Sequence, residues 1–148
     1  MSLQREATLR FFAEPGDANF LGKAFGGAVM KWIDLCGYAV AAGWCGGACV
    51  TVYVGGIRFH RPISIGHMVE LTGKLIHTGR SSMHIAVDVR SRDPRGGEWV
   101  KTTTCVIVFA AINEAGQPIP VPAWTPETDE DKALQTYAMR LQEASRNG

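Results

Sequence analysis

Between Gly26 and Gly43 the sequence GGAVMKWIDLCGYAVAAG is apolar on every side of a helical wheel, and only Lys31 and Asp34 carry charge. A helix of that kind is a buried one. The run of Ala, Val, Met, Trp, Ile and Leu predicts a helix over 26–42, stopped by Gly43 and the Gly46-Gly47 pair. Ahead of it, EATLRFFAE at 6–14 reads as a strand, and Pro15, Gly16, Asp17 and Asn19 mark a loop. After Cys49 the period changes to two. CVTVYVGGIRFHRP is rich in β-branched and aromatic residues, with a bulge or bend at Gly55-Gly56, and Pro62 ends it. HMVELTGKLIHTG and SMHIAVDVRSRD alternate as half-buried strands do. The second places Met83, Ile85, Val87 and Val89 on one face and His84, Ala86, Asp88 and Arg90 on the other. Gly79-Arg80 and Pro94-Arg95-Gly96-Gly97 are turns, and WVKTTTCVIVFAAIN is the last long strand. The tail from Thr125 has acids at its start, Arg140 near its end and a stripe of Leu134, Tyr137, Ala138 and Leu141. It predicts a surface helix that packs lightly or frays.

One long helix after a first strand and before four strands joined by short turns predicts an α+β architecture. The strands form an antiparallel meander curved around the central helix, the one apolar object large enough to cover its face. The expected organisation is one domain over residues 1–125 and a helical tail over 126–148. A chain of 148 residues, 46% hydrophobic and 20% charged, has the length and composition of a soluble globular fold with a full core. A net charge of +1 gives no general electrostatic case for a nucleic-acid or anionic-membrane partner. The N-terminus lacks the basic-then-apolar layout of a signal peptide. The charges and glycines inside the helix argue against a membrane span. Cys36, Cys45, Cys49 and Cys105 include no CxxC and no second ligand pair, so they read as buried free thiols, with no metal site, in a reducing cytoplasm.

A carboxylate inside an apolar helix is costly unless paired, hydrogen-bonded or protonated. Asp34 is therefore either a structural partner of Lys31, three residues earlier on the helix surface, or a working group. Gly26-Gly27 is either a loose helix start or a pair of unobstructed N–H donors for a ligand oxygen. Such donors stabilise the oxyanion formed when a carbonyl is attacked. Gly27 and Asp34 are separated by two helical turns, roughly 10 Å. They reach one substrate only if two antiparallel copies of the helix lie side by side, so an acyl-transfer site here is built across a two-fold dimer. Gly37 and Ala41 would allow that close approach. Asn19 is an Asx-turn or cap, or an amide that orients water or a thioester oxygen. Gly79-Arg80-Ser81-Ser82 is a β-turn with a solvated Arg, or a grip for phosphate oxygens. Arg58, His60 and Arg61 read as a solvated strand end. His77 and His84 flank the Arg80 turn and read as exposed strand positions, able to meet across a hairpin.

GDANFLGKAFGG, the helix AVMKWIDLCGYAVA, VTVYVGGIRFHRPISIG and HTGRSSM together resemble the hotdog-fold acyl-CoA thioesterases. The likeness is to the bacterial short- and medium-chain acyl-CoA hydrolases and the related cytosolic long-chain enzymes, over residues 6 to about 122. The resemblance implies Asp34 as general base or nucleophile, Asn19 as the loop amide from the opposite subunit and Gly27 as the oxyanion donor beside Gly26. It implies Gly79, Arg80, Ser81 and Ser82 as part of the coenzyme A site. It further implies an acyl-CoA substrate, no separate cofactor, and a dimer assembled as a hexamer, a trimer of dimers. Ala18 stands where the family has Thr, and His67 where an Asp follows the glycine of the turn. A hotdog hydratase, which needs a His beside the helix, and a non-catalytic acyl-CoA-binding or regulatory module are the alternatives. Residues 14–43 contain no His, and an acid in an apolar helix with no fixed partner disfavours a passive module.

Overall fold

The chain, described over residues 3–147 by a computed structural model, places a five-stranded antiparallel sheet between two helices. The strands are β1 (Glu6–Phe12), β2 (Cys49–Phe59), β3 (Met68–Thr78), β4 (Ser82–Arg92) and β5 (Val100–Ala111). The helices are α1 (Gly26–Cys45) and α2 (Asp129–Asn147), and a short 3-10 turn spans Pro15–Asp17. Helix α1 lies on one face through Val29, Trp32, Ile33, Cys36, Gly37, Val40, Ala41 and Trp44, each residue having a buried neighbour three or four positions away, which keeps one stripe inward. It meets Leu71 and Leu75 of β3, Met83, Ile85, Val87 and Val89 of β4, and Ile107 and Phe109 of β5. The expected faces of β4 are those observed.

Two glycines let the helix lie close. A Cβ on Gly37 would come within 2.7 Å of Ile107, and one on Gly73 within 3.0 Å of Cys36 and Val40. This corrects the role expected of Gly37 and Ala41: both face the sheet, not a second helix. The helix also runs three residues beyond the expected end. Gly43 stays inside it, and Gly46 stops it in the left-handed region at φ 73, its N–H bonded to the Ala42 carbonyl at 2.8 Å.

The strand order is β1-β3-β4-β5-β2, so only β3, β4 and β5 form a meander. The expected hairpin between β2 and β3 is absent: β2 lies at the far edge, paired with β5. The 60–67 connection instead runs beneath the start of α1. There Ala24 donates to Ile63, Ile65 to Gly22, and Gly66 and Ala13 bond with Ala13 and His67 in turn. Pro62 and Gly66 look like an ordinary turn in sequence because the partners that straighten the segment lie some forty residues earlier. The Gly55-Gly56 irregularity appears as expected, with Gly56 at φ 60.

Helix α2 packs on the opposite face rather than fraying. Ala138 is fully buried with Ile76 and Val106, flanked by Leu134, Leu141 and Ala86. Its start is held by Thr128, whose Oγ1 accepts from Asp131 N–H at 3.0 Å, and by Arg5, which donates to the Asp131 carboxylate at 2.7 Å. Light packing, one of the two outcomes expected, is what is observed: among the described side chains of α2 only Asp131 and Ala138 are buried, on a face where β3 and β4 present Ile76 and Ala86. His84, expected at the surface, is 2% exposed. It pairs across the hairpin with His77, ring centroids 4.9 Å apart. Among the described residues no helix is long and apolar enough to cross a membrane.

Candidate active site

Asp34 lies on the flank of α1 beside the edge strand β2 and is exposed in the single chain, which corrects the expected burial. The sequence pattern is misleading here because α1 is apolar on a face that its own chain leaves open. Leu35 and Tyr38 on that face are 53% and 41% exposed. Asp34 makes no ion pair with Lys31 among the described residues. Its Oδ1 instead accepts a hydrogen bond from Thr51 Oγ1 of β2 at 2.5 Å. This fixes the carboxylate's rotamer and leaves Oδ2 directed to other partners. Thr51 is the site residue that sequence reasoning missed: in an alternating strand nothing marks one threonine from its neighbours until β2 is placed beside α1.

The start of α1 offers free donors. Phe25 at the N-cap gives no side-chain hydrogen bond, and the first intrahelical bond in this turn is from Val29 N–H to the Phe25 carbonyl at 3.1 Å. The N–H groups of Gly26, Gly27 and Ala28 precede it and are the orphan donors of a helix N-terminus. Gly26 and Gly27 are exposed, and a Cβ on either would meet nothing within 4 Å. A cavity of about 280 Å³ opens there, lined by Gly26, Val29, Phe59, His60, Arg61 and Ile63. His60 and Arg61 thus border the helix start as well as solvent.

Asn19 sits at the same end. Its Oδ1 accepts from the N–H groups of Leu21 at 2.9 Å and Lys23 at 3.1 Å, the Asx-turn weighed above. Those bonds commit the carbonyl end of the amide and leave Nδ2 as the outward donor. The loop is anchored by Lys23 Nζ to Ser64 Oγ at 2.8 Å and by Phe25 N–H to the Asp17 carbonyl at 2.9 Å.

Gly79, Arg80, Ser81 and Ser82 form the β3–β4 turn, closed by Gly79 N–H to the Ser82 carbonyl at 3.0 Å. Arg80 is exposed and has no ion-pair partner among the described residues. The Arg80 carbonyl accepts from Val121 N–H at 2.8 Å, and the next residue, Pro122, accepts from Trp44 Nε1 at 2.7 Å. The turn is therefore docked beside the C-terminal end of α1, about 25 Å along the helix from Gly27.

One chain thus keeps the candidate residues in three groups. Asn19 with Gly26 and Gly27 lies at the start of α1, Asp34 with Thr51 two turns along it, and the Arg80 turn at its far end. The uncovered side of the middle group is apolar. Leu35 and Tyr38 of α1 are exposed there, and Phe59 on the edge strand β2, bordering the start of α1, is 57% exposed. An unpaired edge strand next to an exposed apolar helix face is the kind of surface that pairing with another chain buries. All four cysteines are free, and the described residues contain no His, Cys, Asp and Glu cluster suited to a metal.

The thioesterase superfamily profile matches residues 21–98. Acyl-CoA thioester hydrolase YciA of Salmonella typhimurium is 32% identical over 122 residues, covering 80% of this chain and 92% of that protein. A hexameric acyl-CoA thioesterase crystallised in its apo form superposes with a TM-score of 0.90 at 33% identity, covering 96% of this chain and 91% of the other. The acyl-CoA hydrolase of Staphylococcus aureus, solved with butyryl coenzyme A and coenzyme A, superposes with a TM-score of 0.87 at 25% identity, over 96% and 87%. Further structures of that hydrolase carry Ala in place of an Asp, an Asn and a Thr.

Proposed function

This chain belongs to the thioesterase superfamily, and from that premise we propose that it hydrolyses acyl-CoA thioesters to the free acid and CoA at sites shared between two copies of itself. The observation that carries the proposal is the Thr51–Asp34 hydrogen bond on the exposed flank of α1. The replaced Asn, Asp and Thr of the S. aureus hydrolase stand 15 and 17 residues apart, the separations of Asn19, Asp34 and Thr51 here. That agreement supports treating the three as one working set.

Two α1 helices packed antiparallel bring Asn19 and Gly27 of one chain opposite Asp34 and Thr51 of the other. The thioester oxygen then points at the Gly27 N–H, with the Asn19 amide as a second donor. A water oxygen attacks the carbonyl carbon while Asp34 takes its proton. The charge that builds on the carbonyl oxygen is held by the N–H donors. As the tetrahedral intermediate collapses the C–S bond breaks, and the departing sulfur takes the proton back from Asp34. The acid is released, CoA leaves as the thiol and the carboxylate is restored. Attack by Asp34 itself is the same geometry with an anhydride in between.

Arg80, Ser81 and the turn N–H groups supply donors suited to the phosphates of CoA. No separate cofactor enters, since CoA is part of the substrate. The hexameric relative supports a trimer of dimers, and free cysteines fit a reducing cytoplasm. The deciding experiment is thiol release from a panel of acyl-CoA chain lengths by the wild type and by Asp34→Asn. A variant that keeps its fold and near-normal turnover overturns the assignment.

A further inference from the structure

On the side of the sheet away from α1, the last turns of α2 close over a cavity of about 200 Å³. Val52, Val106 and Val108 of the sheet and Leu141 of α2 form its apolar walls. His84 borders it from β4. Its Nε2 is buried and has no hydrogen-bond partner, an unsatisfied polar atom of the kind that native interiors avoid. Arg146 borders it from α2 and pairs with no carboxylate among the described residues.

These features narrow the occupant. No Asp or Glu lines the cavity, so nothing there recognises a cation. It offers one cation and has no room for a nucleotide, which excludes a polyphosphate. A purely apolar guest would leave the buried His84 Nε2 without a partner and make no use of Arg146. A cavity of about 150 Å³ admits benzene, so this one holds a tail of about six carbons. We propose that the cavity binds a short-chain monocarboxylate, its carboxylate between Arg146 and the Nε2–H of His84 and its tail along the four apolar walls. The acid released by thioester hydrolysis is of this class. That link rests on the proposed activity, whereas binding itself does not.

The test is calorimetric titration of the full chain with hexanoate, with hexanol as the neutral comparison, while the His84 ring nitrogens are followed by NMR. Hexanoate is expected to bind, to shift the Nε2 resonance, and to bind about tenfold or more tighter than hexanol, the share of one charge-assisted hydrogen bond. Arg146→Gln should remove that preference, and Ser145→Trp, which fills the cavity from the exposed side of α2, should abolish binding. Asp34→Asn should bind hexanoate as the wild type does. Absence of binding to the wild type, undiminished binding by Arg146→Gln, or loss in Asp34→Asn, which would place the acid in the active site, each overturns the proposal. Thiol release is read separately, so an inactive protein that binds hexanoate refutes the activity and leaves the cavity site standing.

Discussion

Thr51 Oγ1 donates to Asp34 Oδ1 across 2.5 Å and so ties the exposed flank of α1 to the edge strand β2. The bond joins a carboxylate to the residue type best able to hold it still without neutralising it. A lysine at that position would compete for the proton that Asp34 has to accept.

Asp34→Asn therefore removes the proton acceptor and should lower kcat by about 10²–10⁴. Thr51→Val removes only the restraint. One hydrogen bond is worth about 1.4 kcal/mol, or about tenfold in kcat, with KM little changed. Steady-state thiol release beside circular dichroism checks both. Equal losses in the two variants, accompanied by lower melting temperatures, would show a structural pair instead.

Gly27 and Gly37 make opposite predictions on one helix. A Cβ at Gly27 meets open space within its own chain, so Gly27→Val should leave the protomer's fold intact. It should cut turnover by about 10², the scale of a lost oxyanion donor, because the side chain blocks approach to the N–H. A Cβ at Gly37 already meets Ile107 at 2.7 Å and Phe109 at 2.8 Å. Gly37→Val should cost about 1–3 kcal/mol of stability. Thermal melts and activity assays on the pair separate the two roles.

A site shared between chains makes a stronger prediction. Gly27→Val and Asp34→Asn should each be inactive alone. After unfolding and co-refolding in equal amounts, half the dimers are mixed, and each mixed dimer has one intact site and one doubly altered site. Activity should return to about one quarter of wild type. No recovery in a preparation shown by mass spectrometry to contain mixed dimers would place each site within one chain.

The elements were largely legible in the sequence because α1 is a long apolar run and β3 and β4 alternate with period two. Their arrangement was less so. The edge position of β2 depends on pairing with β5, and the 60–67 connection is shaped by bonds to the 13–25 loop, neither of which leaves a local signal. Asp34, Asn19 and Gly27 stood out by residue type and by the family pattern. Thr51 did not, since only the tertiary placement of β2 gives it a partner. His84 was misplaced because an alternating strand names two faces without saying that a second helix covers the outer one.

Glu70 is a buried acid whose pairing is external. Arg10 donates to Oε2, and Arg90 to Oε1 at 2.7 Å, while its own side chain is 5% exposed. The Arg10 hydrogen bonds lead in holding its carboxyl below the usual carboxylate range, with Arg90 adding to them against the opposing effect of burial. A lowered folded-state value gives stability that is complete above the unfolded value and is lost as pH falls through the folded one. Glu70→Gln should cost about 1–2 kcal/mol at neutral pH, limited by the half-exposed arginines. The gap to wild type should begin to narrow as pH falls below 4.5, the ordinary Glu value, and close only below the lowered folded-state value. Urea titrations from neutral pH down through the acid limb measure both, and a gap that never narrows would assign it to packing.

His84 titrates in the opposite sense and in a different window. Burial first, and the neighbouring His77 second, push its imidazole down to about 4. His77 is lowered too, by burial, and Gln135 Nε2 of α2 lies 3.2 Å from its Nδ1. The unfolded chain takes up the His84 proton near pH 6.5, whereas the folded chain resists it until about pH 4. Stability is therefore complete above pH 6.5 and falls as pH drops through that interval, by on the order of 3 kcal/mol in all. Because α2 seals His84 from solvent, the loss should appear first as release of α2, seen as faster amide exchange around Ala138 while the β4 core stays protected. His84→Phe keeps the apolar contact and removes this titration, so its stability should fall less steeply than wild type from pH 6.5 to 4.5, by the part His77 still contributes. A variant that keeps the wild-type slope would move the effect to another group.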